Sequence, residues 1–277
     1  MQHANPIRRS RHVLASILAA MLTVVLVRAG QAADLPSADD IVAKINARDE
    51  GAQSVRDMSI ELITKGGGQR VRETKVFRKY FGTEKRTAIF YLSPRSVKGT
   101  ALLTYDYADP ETDDDQWLYL PALRKVRRIG AADRGDYFLG TDFTYEDIKK
   151  ESRISQEDYR HKTLAQEDLD GVPTYKIESI PINDDVAEEL GYGRIVFWVD
   201  REIWMVRRTE YWDVQGNPLK TVQVGDIRNI QGIWTAHRVE ADNHKTGHRT
   251  RLLYSNVDYK SGVDDDIFTK RALRRGL

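Results

Sequence analysis

Cysteine is absent from all 277 residues of this chain. No disulfide can form, and no lipid can be attached through an N-terminal cysteine. The signatures of several enzyme classes are missing too: there is no G-x-S-x-G serine turn and no G-x-x-x-x-G-K-S phosphate loop. We therefore predict a protein that binds rather than catalyses, with no catalytic residues and no cofactor.

A strong charge of either sign is also lacking. The chain has 43 basic and 42 acidic residues, and the first 32 residues hold four of the basic ones and none of the acidic ones. The remainder is therefore slightly acidic. A general affinity for nucleic acid or for anionic membranes would need a large positive excess, so neither partner is predicted.

The first 32 residues have the layout of a signal peptide. Arg8, Arg9 and Arg11 precede an apolar run at 13–27, and small residues follow at Ala32 and Ala33. Because crossing a bilayer takes about 20 apolar residues, this run is too short for a permanent span. We predict that residues 1–32 are cleaved off on export, which leaves residues 33–277 as a single domain without a lipid anchor.

Beyond the leader, two capping boxes predict helices, at Ser37-x-x-Asp40 and at Thr144-x-x-Asp147. The carboxylates of Glu146 and Asp147 are then explained by the first turn of a helix rather than by acid–base catalysis.

Most of the remaining chain consists of short segments of alternating polarity, which predict about eleven β-strands. Hairpin turns are marked at 215–218 and 229–232, and no strand is predicted between 149 and 173. The fold class is therefore mainly β with covering helices (α+β). We expect one antiparallel sheet with a wet face and an apolar face, the latter covered by the two helices and by the tail around Ile267 and Phe268.

Two clusters have some resemblance to metal sites. His244-x-x-x-His248 surrounds a turn without a third ligand, and Asp113, Asp114 and Asp115 lack the spacing of a calcium loop. We predict no metal site at either cluster.

Strand alternation selects the residues expected in the core or along a lipid cavity. They are Met58, Ile60, Leu62, Phe90, Leu92, Leu103, Leu118, Leu120, Ile195, Phe197 and Val199. A one-residue slip in register would invert each strand's set.

The basic run from Arg124 through Arg127 and Arg128 has three interpretations. It is a solvated strand face, a contact for phosphate or carboxylate headgroups, or a docking surface for an acidic partner. The residues alone leave all three open.

Residues 117–129 (WLYLPALRKVRRI) and 138–148 (FLGTDFTYEDI) resemble the outer-membrane lipoprotein-sorting protein-like (LolA-like) family, as do residues 91–103 and 211–219. The resemblance implies a half-open β-barrel whose helical lid closes an apolar cavity for acyl chains. It also implies a periplasmic carrier of lipid or lipidated cargo between inner and outer membranes, working with an inner-membrane exporter of the RND type and an outer-membrane acceptor. The family supplies no catalytic residues, and we expect a monomer.

Two alternatives remain at this stage. The same scaffold could serve an envelope regulator that senses lipid or a partner protein, which would form a stable complex with a membrane regulator instead of exchanging cargo. An envelope hydrolase would require convergent titratable groups in the cavity.

Overall fold

Thirteen antiparallel strands in one sheet make up most of the computed structural model, which describes residues 35–277 except 110, 111, 113 and 152. The strands are β1 (Gln53–Ile63), β2 (Gln69–Phe81), β3 (Glu84–Ser93), β4 (Ala101–Asp106), β5 (Asp115–Leu120), β6 (Lys125–Ile129), β7 (Tyr159–Leu169), β8 (Val172–Pro181), β9 (Arg194–Asp200), β10 (Val206–Trp212), β11 (Pro218–Ile230), β12 (Ile233–Asn243) and β13 (Arg249–Asp258). The helices are α1 (Ala38–Asn46), α2 (Tyr145–Lys150), α3 (Asp184–Leu190) and α4 (Lys270–Arg275). The predicted signal peptide lies outside the described residues.

The strand order is β6-β5-β4-β3-β2-β1-β13-β12-β11-β10-β9-β8-β7, an open sheet with β6 and β7 at its ends. The prediction of eleven strands was therefore wrong, since the described residues form thirteen. Strand β7 lies in residues 149–173, where no strand was predicted. It is an edge strand with mostly polar residues on both faces, so it lacks the alternation that marks a half-buried strand.

The hairpins at 215–218 and 229–232 are confirmed. They join β10 to β11 and β11 to β12, which pair in antiparallel register. Gly216 and Gly232 adopt the positive φ values that these turns require (82° and 101°).

The expectation of one wet face was wrong for the half of the sheet around β3 and β4. Ile89 and Leu102 pack on one face of the sheet, here called the inner face. Phe90 and Leu103 pack on the other, the outer face, against the C-terminal tail with Phe268. Strands buried on both sides read as continuous apolar runs, and β3 and β4 both contain such a run.

Separate segments cover the two faces. On the inner face, α1 packs through Ile41 and Ile45 near β8 and β9, and residues 138–148 pack on the central strands. The tail covers the outer face, with Leu273 of α4 fully buried against it. The predicted covers are thus present, but the tail lies on the opposite side of the sheet from α1 and α2.

The capping prediction is confirmed for α2 and wrong for α1. Thr144 Oγ1 accepts a hydrogen bond from Asp147 N, and the Asp147 carboxylate accepts one from Thr144 N. Helix α1 does begin after Ser37, but the Ser37 side chain makes no capping hydrogen bond. Among the described residues, no helix is long and apolar enough to span a membrane.

Candidate functional site: a covered cavity with an arginine end

A cavity of about 270 Å³ lies between the inner face of the sheet and the segments that cover it. Strand alternation places one side chain in every two on this face, so each of the central strands contributes to the wall. Its apolar lining includes Met58, Val76, Ile89, Phe143, Ile148, Phe197, Val222, Val224, Val239 and Leu252. This volume lies just below the range of about 300–1,000 Å³ that is typical of small-molecule pockets.

A buried lysine fastens the covering segment to the sheet. Lys220 of β11 is fully buried, and its Nζ donates to Asp147 Oδ2 (2.6 Å), Asp142 O (2.7 Å) and Tyr192 Oη (2.7 Å). Tyr211 presents its ring to the ammonium group at 4.8 Å. Each donor of the ammonium group thus has a partner, and Asp147 carries the opposite charge, which is the compensation that a buried cationic group needs.

A second group of polar contacts, made by the Asp142 carboxylate, lies beside Lys220. The Asp142 carboxylate accepts from Thr250 Oγ1 (2.7 Å) and Asn243 Nδ2 (3.1 Å), and it contacts His248 Nδ1 at 2.6 Å. The loop before α2 is therefore held to the ends of β12 and β13 by side-chain contacts as well as by apolar packing.

The far end of the cavity is cationic. Along β1 and β2 the inner-face side chains change from Met58 and Val76 to Arg56 and Arg78, and Arg56 is the register partner of Val76. Arg48, which follows α1, and Arg153, which follows α2, line the same end. We call Arg48, Arg56, Arg78 and Arg153 the arginine end.

Carboxylates and phenols contact these guanidinium groups. Glu50 lies 3.2 Å from Arg78, 3.8 Å from Arg48 and 3.9 Å from Arg153, measured between charged atoms. Glu151 pairs with Arg56. Tyr80 Oη accepts from Arg153 (2.7 Å) and donates to Glu50 (2.9 Å), and the Arg56 guanidinium lies 4.5 Å from the centre of the Tyr254 ring.

Burial changes the ionisation of these groups. It raises the pKa of the Tyr254 hydroxyl to about 12, against the opposing effect of Arg56. Burial lowers the pKa of Arg48, and Glu50 offsets this only in part. For Arg56, burial also acts to lower the pKa, but Glu151 outweighs it and the pKa is raised. Arg56 is therefore well compensated by its neighbours, whereas Arg48 is less so.

The predicted cavity residues are divided among several places. Met58, Ile195 and Phe197 line the cavity. Ile60, Leu62, Leu118 and Leu120 belong to the inner-face packing around it, and Val199 packs with α1. Phe90 and Leu103 lie on the outer face, and Leu92 is 40% exposed at the end of β3. On β3 and β4 the neighbouring Ile89 and Leu102 hold the inner-face positions instead.

The predicted headgroup or docking residues lie away from the cavity. Arg124 forms the turn before edge strand β6 with φ 48°, and it is exposed. Arg127 pairs with Asp133 at 2.9 Å and Arg128 with Asp115 at 2.8 Å. Their side chains are 64% and 59% exposed, and neither belongs to the cavity wall.

Sequence reasoning missed the arginine end, although part of the signal was present. Arg56 and Arg78 continue the alternation of Met58 and Val76, so extending each strand by one inward position would have found them. Arg48 and Arg153 lie in loops, and no local pattern connects them to those strands.

No group of three or more potential metal-ligating side chains comes together within the part of the chain that the structure describes. His244 contacts Thr221 Oγ1 at 2.9 Å, and His248 contacts Asp142. Asp114 contacts Lys149 at 2.7 Å, and Asp115 pairs with Arg128.

The fold and site thus define a large open β-sheet protein whose inner face holds a covered cavity, which is the LolA-like class. A protein-family model described as that of an uncharacterized protein matches residues 83–275. A structure from Vibrio parahaemolyticus described as an outer membrane lipoprotein-sorting protein domain is 30% identical, with a TM-score of 0.76, and the match covers 85% of this chain and 97% of that one. The chain belongs to the outer-membrane lipoprotein-sorting protein-like (LolA-like) family, which confirms the resemblance seen in the sequence.

Two further structures agree in fold. A DUF1329 family protein from Desulfovibrio piger is 28% identical with a TM-score of 0.76, and the match covers 84% of this chain and 96% of that one. A LolA superfamily protein from Nitrosomonas europaea is 22% identical with a TM-score of 0.64, and the match covers 86% and 99% of the two chains. No curated protein matches the chain by sequence.

Proposed function

We propose that this protein is a periplasmic carrier that binds a lipid or lipidated cargo in its cavity and moves it between the inner and outer membranes. The observation that carries the proposal is the covered apolar cavity on the inner face of a LolA-like sheet. Such a cavity lets an acyl chain leave water without any covalent chemistry, as a carrier requires.

The energetics suit reversible carriage. Each methylene group removed from water contributes about 0.8 kcal/mol. Among single-chain ligands, each added methylene should therefore tighten binding about fourfold until the chain is longer than the cavity. A chain held only by burial can be passed to a membrane or to another protein with a comparable cavity.

The first experiment is extraction of the purified, exported protein with organic solvent, followed by mass spectrometry, together with uptake of a fluorescent fatty acid. The Val224→Trp variant fills the cavity and should lose uptake. Gln223→Trp, on the exposed side of the same strand, is the matched control and should bind as the parent does. Absence of extracted lipid combined with no uptake by the parent protein contradicts the proposal.

Carriage also requires export and partners. We propose that residues 1–32 are removed on export and that no lipid anchor replaces them, which the intact mass of the periplasmic protein tests. The proposed partners are an inner-membrane exporter of the RND type and an outer-membrane acceptor, with the carrier itself a monomer. The exposed Arg124, Arg127 and Arg128 on the edge strand are proposed as a docking surface, because they lie outside the cavity wall.

Charge reversal separates docking from cargo binding. A variant with Arg124→Glu, Arg127→Glu and Arg128→Glu should keep fatty-acid uptake but lose crosslinks to membrane proteins in cells. Unchanged crosslinking in this variant would remove the basic run from the proposed interface.

A further inference from the structure

The arginine end carries more positive charge than the described carboxylates around it neutralise. Arg48, Arg78 and Arg153 share Glu50, while Arg56 takes Glu151. Four guanidinium groups thus meet two carboxylates at the end of an apolar cavity. Charged groups withdrawn from water require close compensation, because burial penalises an unpaired charge by several kcal/mol.

The neighbouring ion pairs do not remove this surplus. Arg153 lies 3.7 Å from Asp106, but Asp106 is already held by Lys85 and Lys150, each at 3.1 Å. A little further away, Lys149 pairs with Asp114 and with Glu146, each at 2.7 Å. Asp147 and Asp158 also line the cavity, but each has its own basic partner, Lys220 at 2.6 Å and Arg134 at 3.1 Å. Across the described residues these neighbouring carboxylates are therefore matched by other cations, and the positive surplus stays with the arginine end.

The hydrogen bonds of the arginine end also indicate that its charges are incompletely compensated. The buried Nε–H groups of Arg48, Arg56 and Arg153 have no hydrogen-bond partner within the described part of the chain. Arg78 differs, because its donors reach Ser54, Glu50 and the backbone of Gly51. Arg48 and Arg153 therefore keep both positive charge and donor capacity, whereas Arg56, whose charge Glu151 compensates, keeps only donor capacity.

We propose that the arginine end binds the anionic group of an amphiphile, a carboxylate or a phosphate, whose apolar chain occupies the rest of the cavity. Guanidinium groups suit both anions, because their planar fork donates paired hydrogen bonds to two oxygens. A neutral or cationic headgroup would leave the surplus uncompensated. This inference rests on the proposed carrier function and specifies the cargo: acidic single-chain lipids or phosphate-bearing lipids.

The apolar part of the wall gives the ligand a direction. The arginine end continues into Met58 and Val76 along two adjacent strands, and the apolar lining extends from there to Val222 and Phe197. The headgroup would lie against Arg48 and Arg153, with the chain extending across the inner face toward Phe197.

A ligand series of one chain length tests the inference on the unmodified protein. Dodecanoate, dodecyl phosphate, dodecanol and dodecyltrimethylammonium compete with a fluorescent fatty acid. We expect the two anions to bind about tenfold or more tightly than the alcohol, and the cation to bind most weakly. Equal affinities, or a preference for the cation, overturn the inference while leaving the carrier proposal intact. Failure of all four to bind overturns both.

Inorganic phosphate distinguishes the source of the anion. Phosphate alone should compete far more weakly than dodecyl phosphate, because it gains nothing from the apolar wall. Equal competition by inorganic phosphate would mark a site for the free ion and would refute the amphiphile assignment.

Variants locate the effect. Arg48→Gln and Arg153→Gln should each weaken dodecanoate binding about tenfold and change dodecanol binding by less than about twofold. Arg228→Gln, with a side chain that is 60% exposed and outside the cavity wall, is the matched control and should change neither. Because the readout is the ratio of anion to alcohol affinity, a general loss of folded protein cannot imitate it. An unchanged ratio in both cavity variants refutes the assignment.

Discussion

Replacing Lys220 by methionine tests whether the buried ammonium group holds the covering segment on the sheet. Methionine keeps much of the side-chain length but removes the charge and the three hydrogen bonds to Asp147, Asp142 and Tyr192. Removing one partner of a buried ion pair costs about 3–5 kcal/mol. The Asp147 side chain remains 14% exposed and still accepts from Thr144 N, so we expect the lower limit, about 3 kcal/mol.

Urea unfolding followed by tryptophan fluorescence measures this loss, since the chain has five tryptophans. The midpoint should fall with an unchanged m value. In a thermal scan the melting temperature should drop by about 6–12 °C, at roughly 2–4 °C per kcal/mol for a domain of this size.

The matched control is Lys75→Met. Lys75 also pairs with an aspartate at 2.8 Å, but both side chains are about one-third exposed, so the expected cost is below about 1 kcal/mol. If Lys220→Met costs no more than Lys75→Met, the buried lysine does not stabilise the covering segment and the reasoning is wrong.

Three further predictions concern stability. Burial by itself raises the pKa of Asp106, but Lys85 and Lys150 outweigh it and set the pKa at about 2. A carboxyl group whose pKa is lower in the folded protein than in the unfolded chain stabilises the fold at pH values above the unfolded pKa, and this stabilisation is lost as the pH falls through the folded pKa. Asp106→Asn should therefore cost about 2 kcal/mol at neutral pH, and the difference from the parent should vanish between about pH 4 and pH 2. Urea titrations at each pH measure this, and a difference that does not depend on pH would contradict it. Thr144→Ala removes the cap of α2 and should lower the free energy of unfolding by about 1 kcal/mol. Thr144→Ser keeps a hydroxyl group at the cap and should therefore keep most of this stabilisation. Leu273→Ala opens a cavity under α4 and should cost about 2–5 kcal/mol, whereas Leu277→Ala, 62% exposed at the chain end, should cost almost nothing; equal effects would show that the tail contributes little packing.

Much of the fold was predictable wherever the cause is local. The α2 cap depends on two side chains three residues apart, and the 215–218 and 229–232 hairpins depend on glycine at positive φ. Alternation along β1 correctly placed Met58, Ile60 and Leu62 on one face, because their spacing by two residues is itself the geometry of a strand.

Prediction failed where both faces of a strand are covered or where neither is. In β3 and β4 continuous apolar runs give no indication of which residues face the cavity, so Phe90 and Leu103 were grouped with the wrong neighbours. In β7 the polar composition of an edge strand resembles a loop. Both errors have one cause: alternation reports a difference between two environments, and it disappears when the environments are alike.

The sequence by itself determined that this is a mainly β protein of the LolA-like family with a capped covering helix and turns at defined points. Only the tertiary structure decided which charges became buried. Arg48 and Arg153 reach Arg56 and Arg78 because the loops after α1 and α2 cross the same end of the inner face, and Lys220 meets Asp147 because α2 lies over β11. The basic run that stood out in the sequence remained exposed to solvent. The strength of a charge interaction depends on burial and distance in space, and neither is encoded by spacing along the chain.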